Sequence, residues 1–398
     1  MKKIVCPYCF EEFKRSEALF RCKNNTNSCP DVEDEAMYRF WGETYKDKKI
    51  VKPSGGLGAI FDLMPQSAKC DTCKTVTTKT VCPHCHNELP REMVEKGGLI
   101  ISVIGARSSG KTNYITTLIN ELKHKGHLID IGIYETGVGR RPDEYTIARY
   151  EKDFYNRLYK NKECHAQTDV NDSRSKIPLI YKLFSTTKNE QAYLVLYDTA
   201  GENFADPTAI EERAKFLRNS DGIILLLDTF CIPDVHDRLK QKIKLPNIEL
   251  TYDIILKNVI KHFDDQVNKK EFYTKPLALT FSKIDSIVNN DELFMDARLP
   301  NINMNYNSQY LDGNGYYLDD VDTVNQGIQD GLRSWGESHF IADINAPVHF
   351  NGKATFFGIS ALGDMPAGTS VKHIKPYRVM DPLIWILYKL KFPLPVKK

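Results

Sequence analysis

No apolar run in this 398-residue chain approaches the roughly 20 residues that a membrane-crossing helix requires. Net charge is almost missing as well. The 54 Lys and Arg stand against 52 Asp and Glu, a balance of +2, so nothing at whole-chain level draws the protein to nucleic acid or an acidic membrane. Internal repeats and low-complexity tracts are lacking. The start, Met1-Lys2-Lys3-Ile4-Val5, opens like a secretory leader, but Cys6 and then Glu11-Glu12 cut its apolar part short; the expected location is the cytoplasm. Cysteine is scarce after residue 90, where only Cys164 and Cys231 occur, and both read as ordinary thiols. What is present is a globular composition, 41% hydrophobic and 27% charged, long enough for two or three domains with a buried core.

The other eight cysteines form the pairs Cys6/Cys9, Cys22/Cys29, Cys70/Cys73 and Cys82/Cys85. Cys-x-x-Cys spacing in a cytoplasmic chain signals metal rather than disulfide. Cys70, Cys73, Cys82 and Cys85, with a short stretch between the two pairs, are expected to close around one Zn2+ through a hairpin, because four thiolates in a tetrahedron suit structural zinc. Cys6, Cys9, Cys22 and Cys29 make a second site. Other pairings, such as Cys6/Cys9 with Cys82/Cys85, stay open. His84 and His86 are spare donors beside the last knuckle. A closed shell implies a structural role, and metal would supply much of the folding energy of so small a segment. Lys14, Arg15, Lys46, Lys48 and Lys49 are interspersed with Asp31, Glu33, Asp34 and Glu35, so no phosphate-binding stripe emerges and a protein contact is favoured over nucleic acid.

This zinc-ribbon-like segment, 1–96, ends in Glu95-Lys96-Gly97-Gly98, which reads as a hinge. Over 97–398, apolar runs of strand length alternate with helical patterns, the mark of an α/β sheet. Six strands are expected, at Leu99–Ile104, Ile177–Phe184, Ala192–Tyr197, Gly222–Leu227, Leu277–Phe281 and Ala354–Ile359. Helices are expected at Lys111–Lys123, Pro142–Tyr159, Pro207–Leu217, Leu250–Asn268, Asp319–Trp335 and Pro382–Leu390. The stretches 126–176 and 286–350 read as insertions. The apolar segment Met380–Tyr388, too short to span a membrane, reads as a core helix.

Gly105-Ala106-Arg107-Ser108-Ser109-Gly110-Lys111-Thr112 matches G-x-x-x-x-G-K-[ST] between a strand and a helix. Such a loop turns backbone N–H groups toward phosphates at a helix N-terminus, with Lys111 reaching the β- and γ-phosphates and the Thr112 hydroxyl ligating Mg2+. Asp198 closes an apolar strand before Thr199-Ala200-Gly201. In P-loop proteins such an aspartate holds Mg2+, usually through water, and the glycine N–H meets the γ-phosphate.

Ser282-Lys283-Ile284-Asp285 resembles the [NT]KxD motif of Ras-like GTPases of the TRAFAC class, and Ser360-Ala361-Leu362 resembles their SAx motif. The resemblance implies that Asp285 accepts two hydrogen bonds from guanine, that the Lys283 stem lies over the ring, and that the Ala361 backbone meets O6. Ser282 departs from the family's Asn or Thr. The resemblance also implies a six-stranded, mainly parallel P-loop GTPase sheet with helices on both faces, and guanine nucleotide (GTP/GDP) with Mg2+ as ligands. Zinc knuckles ahead of such a domain are similar to bacterial double-GTPase proteins, which are associated with conflict and defence loci.

In that family a glutamine after DxxG orients the attacking water; here it is Glu202, so slow hydrolysis is expected, with Lys111 and Glu202 the catalytic candidates. Arg107 is read as pointing to solvent. The switch I threonine is one of Thr136, Thr146 and Thr168, and Arg140-Arg141 reads as a solvated charge pair. The chain is thus expected to be a GTP-binding switch that meets a protein partner through its zinc module or insertions. The alternatives are an ATP-using P-loop NTPase and a non-hydrolysing zinc-bearing interaction protein.

Overall fold

A computed structural model describes residues 4–54, 61–105, 109–165, 177–198, 217–241, 245, 256–257, 260, 273–288, 308–350 and 352–397. Its centre is one sheet built from β1 (Leu99–Gly105), β2 (Gly132–Glu135), β3 (Leu179–Phe184), β4 (Gln191–Leu196), β5 (Gly222–Asp228), β6 (Leu277–Ser282) and β7 (Ala354–Gly358). The order is β2-β3-β4-β1-β5-β6-β7, and β3 alone runs against its neighbours on both sides. All six expected strands are present. The seventh, β2, lies inside 126–176; its four residues Gly-Ile-Tyr-Glu are half exposed at the sheet edge and lack the apolar run that marks an interior strand. By contrast every residue of β5 is buried, as a strand covered on both faces must be.

Helix α1 (Lys111–Lys125) follows β1, and α2 runs as Thr146–Arg149 and then as a wider π-helical stretch Tyr150–Lys160. With α6 (Asp381–Lys389) they cover one face, packing Tyr114, Leu118, Phe154, Trp385 and Ile386 against Ile101, Val103, Leu194 and Leu226. The apolar C-terminal segment is therefore a core helix. Each large apolar side chain it buries contributes about 2 kcal/mol. The other face carries α3 (Pro233–Leu239), α4 (Leu318–Ser334) and α5 (Ser338–Ile344), the last two within 286–350. Asn325 of α4 accepts the Phe356 N–H at 2.9 Å, tying this stretch to β7. The expected helix Pro207–Leu217 lies outside the described residues apart from Leu217, and Leu250–Asn268 apart from residues 256, 257 and 260.

The same second face also receives the cysteine-rich segment. One continuous apolar cluster joins Ile4, Tyr8, Phe13, Phe20, Trp41 and Met93 to Ile100, Ile180, Tyr193, Val195 and Tyr197. The segment is anchored by Lys182 and the Tyr193 hydroxyl on Glu92, and by Asn219 Nδ2, which donates to the Phe10 carbonyl at 2.7 Å. Glu95 and Lys96 end the helix Arg91–Lys96, and Gly98 lies against a packed interface: a Cβ there would sit 2.9 Å from Met93 Cε.

Inside the segment, Leu19–Arg21 pairs antiparallel with Lys79–Val81. This ladder sets the cysteine pairing. Cys22 leaves one end of it and meets the hairpin of Cys70 and Cys73, while Cys82 leaves the other end and meets the hairpin of Cys6 and Cys9. The expected set Cys70/Cys73/Cys82/Cys85 is therefore corrected: the intervening chain is largely extended and carries the two pairs to opposite ends of the ladder. The clusters are Cys6/Cys9/Cys82/Cys85 and Cys22/Cys29/Cys70/Cys73, the first being the crossed pairing left open in the sequence.

Candidate functional site

The motif residues converge at the C-terminal ends of the parallel strands, where open α/β sheets bind ligands. β1 ends at Gly105, which passes so close to β5 that a Cβ there would lie 2.4 Å from the Leu226 carbonyl oxygen. Gly110 caps α1 in the left-handed region, φ +80°, as the chain turns into the helix. Lys111, only 7% exposed, donates from Nζ to the Gly105 carbonyl at 3.1 Å, so its ammonium turns back to the end of β1. The Thr112 hydroxyl donates to Asp198 Oδ2 at 2.9 Å, bringing the second motif to the first. A hydroxyl and a carboxylate, both oxygen donors, are the chemistry a hard cation such as Mg2+ takes.

The segment Ser282–Asp285 is tied to the Gly105–Thr112 segment through Ser109. Ser282 Oγ contacts the Ser109 carbonyl at 2.9 Å and the Leu227 carbonyl at 3.1 Å, so a serine here bridges β5, β6 and the loop directly. Lys283 adopts φ +59°, which swings its side chain to Asp228 Oδ2 at 2.6 Å and over the Phe230 ring at 4.9 Å. Asp285 is 4% exposed at the start of the turn Asp285–Val288. Burial pushes its carboxyl above the ordinary aspartate range, and a hydrogen bond from the Ser360 hydroxyl pulls partly the other way. Ser360 is held by Tyr377 in a two-bond bridge, and Ala361 follows it. Ile284 N–H donates to the Ile359 carbonyl at 3.1 Å, fixing the spacing between the two base motifs.

Ser108, Arg107, Gly201, Glu202 and Thr168 lie outside the described residues. Thr136 and Thr146 are both engaged with β3: the Thr136 hydroxyl donates to the Ile180 carbonyl at 2.8 Å and Thr146 Oγ1 accepts the Ile180 N–H at 2.9 Å. Arg140 corrects the expectation of a solvated pair. Its guanidinium stacks 3.6 Å from the Trp41 ring centre and pairs with Glu144 and Glu43, while Arg141 stays exposed. Asp228 and Phe230 belong to no motif visible in the sequence, although Asp228 closes an apolar strand as Asp198 does.

In the two cysteine clusters, Sγ–Sγ distances are 3.7 Å for Cys6–Cys85, 3.8 Å for Cys9–Cys82, 3.5 Å for Cys22–Cys73 and 3.6 Å for Cys22–Cys29. A tetrahedron of thiolates about 2.3 Å from zinc has an edge of about 3.8 Å, so both donor sets fit that ion. Three knuckles share one turn, in which Phe10, Lys74 and His86 take positive φ and return an N–H to the carbonyl of Cys6, Cys70 and Cys82. His86 is held away by Asp34, 2.7 Å from its Nδ1, and neither His84 nor His86 joins a cluster. Three of the basic residues of this segment meet acids: Lys46 with Glu33, Lys48 with Asp31, Lys49 with Asp71.

Residues 99–309, more than half of the chain, match the profile of the Double-GTPase 2 family. A candidate ESX-1 scaffolding and assembly protein, SaeC of Mycolicibacterium smegmatis, is 24% identical over 77% of this chain and 78% of its own length. Among solved structures, the GTPase-like domain of S. cerevisiae Ski7 bound to GTP aligns at 12% identity and TM-score 0.33 over 74% of this chain. Methanosarcina barkeri Roco2 RocCORdC bound to GDP aligns at 14% and 0.19 over 51%. The chain spans half or less of the length of each of these two solved chains, 50% and 40%. Among the described residues no helix is long and apolar enough to cross a membrane.

Proposed function

This chain belongs to the Double-GTPase 2 family, and from that premise we propose that it is a cytoplasmic GTP-binding switch with slow intrinsic hydrolysis. One observation carries the reading: a buried carboxylate, Asp285, stands beside Ser360 on a base motif that Ser282 ties to the phosphate loop. Guanine offers Asp285 two N–H donors and adenine does not, so adenine would leave a buried acceptor unpaired, a selective cost. Gly105, Ser108, Ser109 and Gly110 would wrap the phosphates, Lys111 would bind the β- and γ-oxygens, and Gly201 would meet the γ-phosphate. Thr112 and, through water, Asp198 would hold Mg2+, whose chemistry is to neutralise phosphate charge. Lys283, steadied by Asp228, would cover the base and the Ala361 backbone would meet O6. Glu202 would orient water less well than glutamine, adding negative charge beside the γ-phosphate. Zinc in both cysteine clusters would be structural. The scaffolding name of the SaeC relative supports a protein partner, reached through the cysteine module or 286–350, and the resemblance to conflict-system proteins supports a setting in defence.

The test is binding of labelled GTP and ATP analogues with Mg2+. GTP should win by about a hundredfold or more, since a site built around a hydrogen-bonded group rejects the analogue lacking it. Lys111→Ala and Asp285→Ala should each abolish binding, and Asp285→Asn should turn preference toward xanthosine nucleotides. Equal binding of ATP would sink the guanine reading, and tight binding without turnover would favour the non-hydrolysing alternative.

A further inference from the structure

β4 presents alternate side chains to opposite faces, and Tyr193, Val195 and Tyr197 all point into the cluster shared with the cysteine module. Tyr197 is the last of them and stands directly before Asp198. Its hydroxyl donates to the carbonyl of Pro7, which lies between Cys6 and Cys9, and its ring packs against Phe10 at 5.3 Å between centroids. Phe10 is itself fixed, by its N–H to the Cys6 carbonyl at 3.0 Å and by Asn219 on its own carbonyl. On the other side of the same backbone bond, Asp198 Oδ2 accepts from Thr112. A short covalent and hydrogen-bonded path therefore runs from the first cysteine cluster to the carboxylate at the phosphate site. No corresponding contact leads there from Cys22, Cys29, Cys70 and Cys73 among the described residues.

We infer that Tyr197 is a positioning residue: the Cys6/Cys9/Cys82/Cys85 cluster, through Pro7 and Tyr197, holds the Asp198 carboxylate where Mg2+ is bound, so metal at a knuckle tunes retention of Mg2+-nucleotide. This rests on the reading of Asp198 as a Mg2+ ligand. Groups that orient metal ligands from behind typically change affinity when removed. Burial leaves Tyr197 few other rotamers: it is 4% exposed, with the Phe10 ring and the Pro7 carbonyl against it.

The experiment follows release of a fluorescent GDP analogue from the full chain as Mg2+ is titrated. Tyr197→Phe keeps the ring and removes the hydroxyl. It should raise the Mg2+ concentration needed for half-maximal retention by about tenfold, with release in EDTA and the bound zinc content unchanged. Tyr193→Phe, which removes a hydroxyl bonded to Glu92 of the module on the same face, should leave the Mg2+ midpoint alone. Cys9→Ser should shift the midpoint in the same direction, and adding Tyr197→Phe to it should add little. An unmoved midpoint in Tyr197→Phe, an equal shift in Tyr193→Phe, or additive shifts would each overturn the coupling. Asp198→Ala separates the two claims: no change in Mg2+ dependence there means that the reading of the site has failed, not the path to it.

Discussion

In the proposed role of guanine acceptor, Asp285 would carry both selectivity and a pH signature. Desolvation raises its pKa above the ordinary aspartate value of about 3.9 in the ligand-free protein. The folded form therefore binds its proton more tightly than the unfolded chain, and this group's contribution to stability declines as pH rises through that raised pKa. The proposed base recognition would have the opposite sign, because only the carboxylate accepts from two guanine N–H groups. GTP affinity should fall on acidification, beginning at higher pH than an exposed aspartate would allow. Binding titrations from neutral pH downward check this, and a flat profile until the fold itself fails would refute it. At the same scale, Ser282 shows why a departure from Asn or Thr need not break the motif: one hydroxyl oxygen lies within reach of both the Ser109 and Leu227 carbonyls.

Among the elements, the 136–149 segment is gripped by the cysteine module through Arg140. The guanidinium stacks on Trp41 and forks onto Glu144, itself 7% exposed. Arg140→Ala would leave that buried carboxylate only the exposed Arg141 guanidinium and the residue-140 N–H. The loss should be about 3 kcal/mol, the scale for breaking a buried pair from one side, and should appear as a lower urea midpoint. Arg140→Lys should recover little, because an ammonium cannot reproduce the planar stack and the two-pronged contact. A midpoint unchanged in Arg140→Ala would show that the pair is solvated after all.

At the scale of the whole molecule, the apolar cluster that runs from Ile4 to Val195 implies that module and sheet melt together. Structural zinc contributes on the order of 10 kcal/mol per site in small metal-folded domains. With zinc in both clusters, as proposed, withdrawing it should lower the melting temperature of the entire chain and bare the Tyr193–Tyr197 face of the sheet. Calorimetry should record one cooperative transition with metal bound. Two well-separated transitions, with only the first moved by a zinc-selective chelator, would show that the units are energetically independent.

Much of this protein is legible in its sequence alone. Five of the six apolar runs become interior strands, which are apolar because the sheet is covered on both faces, and the sixth closes the far edge as β7; the nucleotide-binding motifs proposed here are local words whose spacing from strand ends is part of their signal. Eight paired cysteines announce metal for the same reason. Other features depend on tertiary structure. The β2 edge strand carries no apolar run, since half of it faces solvent. The cysteine pairing follows from an antiparallel ladder, Leu19–Arg21 with Lys79–Val81, whose direction no Cys-x-x-Cys spacing encodes. Arg140 reads as solvated until Trp41, far away along the chain, supplies a face for it. Tyr197 and Pro7 become neighbours only when the module settles on the sheet. Local chemistry is written in neighbouring residues, whereas contacts between segments distant along the chain arise only when folding buries their apolar faces together.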